Sequence, residues 1–135
     1  MADKPVEVAA GLVFRNGKLL ITKRQKGSHL AGLWEFPGGK RESGETVEEC
    51  LRRELREELG IQIAVGQALE TVTHRYPEKT VQITFFTCRL TKGEPSAIEC
   101  ADLVWSERES LAKFDFPPAD QRLISRLVDE PSLWE

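Results

Sequence analysis

The segment from Gly39 to Ile61, GKRESGETVEECLRRELREELGI, constrains the chain more than any other stretch. Thr46 can cap a helix, Glu49 completes a capping box three residues later, and Gly60 suits the position just past the helix end. At about 100° per residue, Val47, Cys50, Leu51, Leu55 and Leu59 fall in one apolar arc roughly 180° wide. Glu54 and Glu58 project inside that arc, and Glu57 lies on its border. Carboxylates at this spacing repel one another by roughly 0.2–0.5 kcal/mol even when solvated. Beside a core they cost far more unless they are paired or bound to a cation. Two arrangements relieve the conflict. In one, the helix is solvated and Arg52, Arg53 and Arg56 pair with the acids. In the other, a hard divalent cation sits among them, and Mg²⁺ fits because it takes oxygen ligands and keeps waters for a phosphate.

The segment resembles the signature of the Nudix hydrolases, a Gly, five residues, a Glu, seven residues, then Arg-Glu-apolar-x-Glu-Glu-x-Gly-apolar. Every specified position is met, by Gly39, Glu45, Arg53, Glu54, Leu55, Glu57, Glu58, Gly60 and Ile61. The resemblance favours the cation. It implies that Glu57, Glu58 and the carbonyl of Gly38 hold metal, Mg²⁺ or Mn²⁺ in its place, with Glu54 a further ligand or the base that activates water. The reaction it implies is attack of water on a diphosphate linkage, where a bound dication offsets charge developing on the phosphoryl oxygens. Arg53 can fork onto a glutamate and hold it, and Glu45 suits the helix start.

Outside the signature the chain is similar to the MutT-type nucleoside triphosphate hydrolases of that family, in Gly32–Lys40 (GLWEFPGGK) and in Phe116–Ala119 (FPPA). By position, Arg24 and Lys40 match residues near base and phosphate, with solvated cations as the alternative. Glu99 matches a loop carboxylate implicated in metal binding or catalysis, or is an unengaged loop acid. Glu35 either buttresses the metal site or pairs with an Arg at a strand end, and Phe36 can stack on a base. Asp120 departs from the subgroup, which carries an Asn there to read the purine. An ionised carboxylate only accepts hydrogen bonds. It therefore favours a donor-rich base edge, such as guanine N1–H and N2–H₂ or the cytosine amino group, while a protonated Asp could donate. The other reading of Asp120 is an acid at a helix start.

Net charge of −3 argues against a generic nucleic-acid binder, for there is no basic surplus to meet a phosphate backbone. The chain of 135 residues is expected to form a single domain, 1–135, with 40% hydrophobic and 30% charged residues as in ordinary globules. Cys50, Cys88 and Cys100 lack zinc or redox spacing and read as reduced, packed thiols of a cytoplasmic protein. No signal peptide or spanning helix is visible, so no membrane role is expected.

Taken in order, Val6–Arg15 and Lys18–Arg24 read as strands joined by Asn16-Gly17, a strong hairpin signal. Gln25–Gly32 reads as a loop, Leu33–Phe36 as a brief strand, and Pro37-Gly38-Gly39 as the turn that ends it. Ile61–His74 and Thr80–Leu90 read as longer strands across the turn Tyr76–Lys79. Asp102–Trp105 is a short strand, Ser106 caps a brief helix, and Ala119–Asp129 forms a last amphipathic helix. Trp34, Phe86 and Trp105 are assigned to the core, His29 and His74 to surface or strand, and Trp134 to no role. The element order predicts an α/β fold with a mixed sheet, and the resemblance implies a Nudix-type α/β/α sandwich. The expected activity is hydrolysis of a nucleoside triphosphate to the monophosphate and pyrophosphate, by a monomer or homodimer that sanitises oxidised nucleotides such as 8-oxo-dGTP. Alternatives are a CTP, dCTP or modified-pyrimidine pyrophosphohydrolase, a catalytically silent nucleotide-binding module, and a protein-interaction domain with an acidic helix.

Overall fold

A computed structural model describes residues 4–28 and 30–135; His29 lies outside them. The strands are β1 (Val6–Arg15), β2 (Lys18–Lys23), β3 (Trp34–Glu35), β4 (Gly38–Lys40), β5 (Gln62–Arg75), β6 (Thr80–Lys92) and β7 (Asp102–Glu107), and the helices α1 (Val47–Leu59) and α2 (Gln121–Asp129). Asn16 and Gly17 both take positive φ, 53° and 74°, as the predicted two-residue hairpin turn requires. The sheet runs β3-β2-β1-β6-β5, with β7 also paired to β2 and β4 to β1. β1 is parallel to β6, from Val6↔Val81 to Phe14↔Arg89, and antiparallel to its other neighbours. The sheet is therefore mixed.

β1 is flanked on both sides and covered on both faces, which explains its unbroken apolar run. Its alternation sorts the residues: Ala9 and Val13 join a core with Cys50, Leu51, Leu55 and Leu59 of α1. Ala10 and Leu12 join another with Leu123, Ile124 and Leu127 of α2. One helix on each face makes the expected α/β/α sandwich. The three thiols are free and buried, and Trp34, Phe86 and Trp105 pack in or against the two cores. Trp134 gains a role: its indole N–H donates to the Leu127 carbonyl at 2.8 Å, and its ring meets Phe14 edge-on. No described helix is long and apolar enough to cross a membrane.

Several boundaries differ from expectation. Gly38–Lys40 is a strand rather than a turn, since its backbone lies against Val8–Ala10 of β1. β2 ends at Lys23, β6 continues to Lys92, and β5 runs from Gln62 to Arg75. Ser106 does not cap a helix. It pairs with Leu19 inside β7, and the 3-10 helix Arg108–Lys113 that follows has no side-chain cap. Ala119 and Asp120 belong to a 3-10 turn, Pro118–Asp120, that leads into α2.

Candidate active site

β1 changes partner along one edge. Near its end it pairs with β2 through Phe14 and Arg15, and near its start with β4 through Val8–Ala10. Between the two, the Gly11 amide donates to the Pro37 carbonyl at 2.8 Å. This opening faces α1. A Cβ at Gly38 would strike the Ala9 carbonyl oxygen, and one at Gly39 would fall on the Glu54 carboxyl group. Gly38 thus lets β4 lie against the backbone of β1, and Gly39 leaves the room that the Glu54 carboxyl group occupies.

α1 starts as the residues dictate. Thr46 Oγ1 accepts from the Glu49 amide at 3.0 Å, and Glu49 Oε1 from the Thr46 amide at 2.8 Å. Gly60 closes the far end with φ 71°. From the middle of the helix Arg53 gathers the acids around it. It forks onto Glu45 at 3.1 and 2.8 Å, and donates to Glu54 at 2.9 Å, Glu57 at 3.1 Å and the Lys40 carbonyl at 3.2 Å. Its hydrogen bonds hold the Glu45 carboxyl down at about 2.

On the apolar side, Glu54 and Glu58 face a cavity of about 460 Å³ together with Glu35, Glu99, Arg24, Lys40, Gly38 and Gly39. Glu58 is 9% exposed. Burial, then the negative charges of Glu35, Glu54 and Glu99, push its carboxyl up to about 9. Burial also raises Glu54 against the pull of Arg53, and Glu35 against the pull of Arg24, which lies 2.6 Å away. Glu99 is brought in by the β6–β7 segment, whose amides at Ile98 and Glu99 both donate to the Glu58 carbonyl.

A second cavity, about 170 Å³, opens on the other side of Phe36. Val8, Ala10, Arg24, Glu35, Phe36 and Lys40 line both. Its inner wall is apolar, with Phe36 stacked on Phe116 at 5.2 Å and edge-on to Phe85. Asp120 enters it at 6% exposure, raised to about 7 by burial and then by Glu35. Tyr76 and Lys79 of the β5–β6 turn also line it. Sequence reasoning missed both, because only the fold brings that turn over the chamber.

The NUDIX domain family model matches residues 9–126. The chain belongs to the Nudix family. It is 39% identical over 132 residues to the 8-oxo-dGTP diphosphatase of Haemophilus influenzae, covering 96% of each chain. It is 36% identical over 125 residues to the CTP pyrophosphohydrolase of Escherichia coli, covering 93% of each. Among solved structures it is similar to the Escherichia coli ORF135 protein, at TM-score 0.78 and 35% identity, over 90% of this chain and 87% of that one.

Nudix hydrolases use divalent cations and act on nucleotides. The acidic chamber fits such an ion. Its donors are hard carboxylate and carbonyl oxygens, and the salt bridges among the described residues leave Glu58 without a cationic partner. A dication among these acids would offset the burial that keeps Glu58 protonated. Among the described residues no three His, Cys, Asp or Glu side chains stand together at ligand spacing. The Nudix signature thus divides by face. Glu54 and Glu58 reach the chamber, whereas Glu57 is half-exposed on Arg53 and is not part of its lining. Arg24, Phe36, Lys40 and Glu99 also line the chamber. Asp120 lies one chamber away, and Glu35 pairs with Arg24 at the strand end while also lining the acidic chamber.

Proposed function

We propose that the protein hydrolyses a nucleoside triphosphate to the monophosphate and pyrophosphate with Mg²⁺, and that 8-oxo-dGTP or a similar oxidised purine nucleotide is its preferred substrate. One observation carries the reading: the acidic and the apolar chamber share a wall of Arg24, Glu35, Phe36 and Lys40. A single ligand can thus extend its phosphates into one and its base into the other. Mg²⁺, when bound, supplies positive charge to the phosphoryl oxygens and template order to the reactants. The ligand set we assign is Glu54, Glu58, the Gly38 carbonyl and Glu57, whose half-exposed carboxylate would have to swing from Arg53 toward the chamber to join the other three. Glu54, held by Arg53, is the residue we assign to take the proton of the attacking water. As the water oxygen bonds to phosphorus, the α–β bridging P–O bond breaks and pyrophosphate separates from the monophosphate. Arg24 and Lys40 orient the phosphates, and Glu99 adds negative charge that holds the cation. Phe36 packs against the base, and Asp120 reads its edge.

The acceptor at Asp120 also supports a second reading, a cytidine triphosphate whose amino group donates to it. A pyrophosphate-release screen over normal and oxidised triphosphates with Mg²⁺ tests both. The highest kcat/KM is expected for 8-oxo-dGTP, a CTP optimum would favour the second reading, and no release from any triphosphate would overturn the proposal. Reduced thiols and an acidic net charge suit a cytoplasmic enzyme of the nucleotide pool.

A further inference from the structure

The segment joining β6 to β7 holds no helix or strand, yet it is tied along its length. Gly93 takes φ 91°, and a Cβ there would lie 2.9 Å from the Gly60 carbonyl oxygen, so the chain turns tightly on the end of α1. Glu94 then receives both terminal nitrogens of Arg15, Nη1 at 2.7 Å and Nη2 at 3.1 Å. The same guanidinium lies 4.2 Å above the Trp105 ring, which fixes it from β7 as well. Beyond this fork the Ser96 amide donates to the Leu59 carbonyl at 3.1 Å. The Ile98 and Glu99 amides donate to the Glu58 carbonyl at 3.0 and 3.1 Å, and the Ala101 amide to the Lys23 carbonyl at 2.9 Å. The last carbonyls of a helix have no partner within it. Here the segment supplies them, and the Glu99 amide thereby rests on the backbone of Glu58.

We propose that Arg15 is a positioning residue: by clamping Glu94 it seats the 93–99 segment on the end of α1 and fixes Glu99 relative to Glu58 at the phosphate chamber. Arg15 lines neither chamber, so it acts through the segment alone. The inference rests on the hydrolase reading only for its kinetic half.

The test compares Arg15→Met, which keeps an aliphatic stem on Trp105, Arg15→Lys, Glu94→Gln and the swapped pair Arg15→Glu with Glu94→Arg. Hydrogen exchange is read on protein free of nucleotide and cation. Losing a bidentate but partly exposed pair should speed exchange of the Ile98 and Glu99 amides about fivefold in Arg15→Met and Glu94→Gln. Exchange of the β1 amides should stay as in wild type. With Mg²⁺ and substrate, kcat should fall by about the same factor while KM stays within about twofold. Arg15→Lys should recover part of both effects, and the swapped pair most of them. Unchanged exchange overturns the clamp. Faster exchange with unchanged kcat overturns the positioning role, as does a change in KM alone. Faster exchange throughout the sheet reduces Arg15 to a general stabiliser and overturns it too. Wild-type protein that releases no pyrophosphate sinks the hydrolase reading and the kinetic half together, and the exchange result still decides the clamp.

Discussion

Replacing each glycine of β4 with alanine separates what the pair does for the fold from what it does for the site. A Cβ on Gly38 would meet the Ala9 carbonyl oxygen and lie 2.8 Å from the Ala10 Cα. These are backbone atoms of β1 and cannot rotate away, so β4 must move off the strand it pairs with through Val8, Ala9 and Ala10. Overpacking of this kind costs about 1–3 kcal/mol, and a broken ladder hydrogen bond adds about 1 kcal/mol. Together they lower Tm by roughly 10 °C in a chain of this size. A Cβ on Gly39 meets the Glu54 carboxyl group instead, with Oε2 at 2.5 Å and Oε1 at 2.7 Å. A carboxyl at the end of a side chain can swing aside. Doing so breaks the Arg53–Glu54 ion pair, so stability should change by less than about 1 kcal/mol and Tm by under about 5 °C. If Glu54 is the base we assign, displacing it should lower kcat by about 10²-fold or more. Thermal denaturation and pyrophosphate release on the two purified variants decide the matter. Wild-type kcat in Gly39→Ala would remove Glu54 from the chemistry, and a wild-type Tm in Gly38→Ala would refute the close approach of β4 to β1.

Other outcomes follow from the same geometry. Glu58 has a folded value of about 9 against an ordinary 4.5. Folded protein without metal therefore keeps a proton that the unfolded chain releases, and stability falls as pH rises from about 4.5 to about 9. Glu58→Gln should flatten that slope, melt higher than wild type at pH 8 without metal, and lose most of the Tm gain that Mn²⁺ gives wild type; equal metal-induced gains would count against Glu58 as a ligand. Asp120, raised from 3.8 to about 7, should likewise make folded protein less stable as pH rises between those values. Asp120→Asn should remove that dependence and shift preference between purine and pyrimidine triphosphates, and an unaltered substrate profile would take Asp120 out of base reading. Glu57→Gln should reduce turnover by about 10²-fold or more with the fold intact, and wild-type turnover would defeat its assignment to the metal.

What the sequence disclosed was local. The capping box, the Gly60 terminus and the carboxylates inside the apolar arc of α1 are set by residues within four positions of one another, and each stands as read. The Asn16-Gly17 turn and the strands on either side of it were legible for the same reason. Gly38 and Gly39 were misread as a turn because glycine carries no strand propensity. Their extended path comes from a backbone approach to β1 that no neighbouring residue announces. Tyr76 and Lys79 looked like turn residues and nothing more, since their chamber is closed by Phe36 and Asp120 from distant parts of the chain. The motif placed Glu57 beside Glu58, but a step of one residue turns a helical side chain by about 100°, and Arg53 claims the one that points outward. Glu99 shows the same limit: its loop has no periodicity to read, and only the folded end of α1 gives its amide an acceptor.

The parallel pairing of β1 with β6 bears on how this protein is made. Val6 is matched with Val81, and Val8, which lines both chambers, with Ile83. A chain still being synthesised has exposed the whole acidic helix before the partner that completes β1 has left the ribosome. Pairings between such distant residues form slowly, so the candidate pocket is expected to close only after β6 has joined β1. A truncated or stalled chain would carry the glutamates without the walls that give them work.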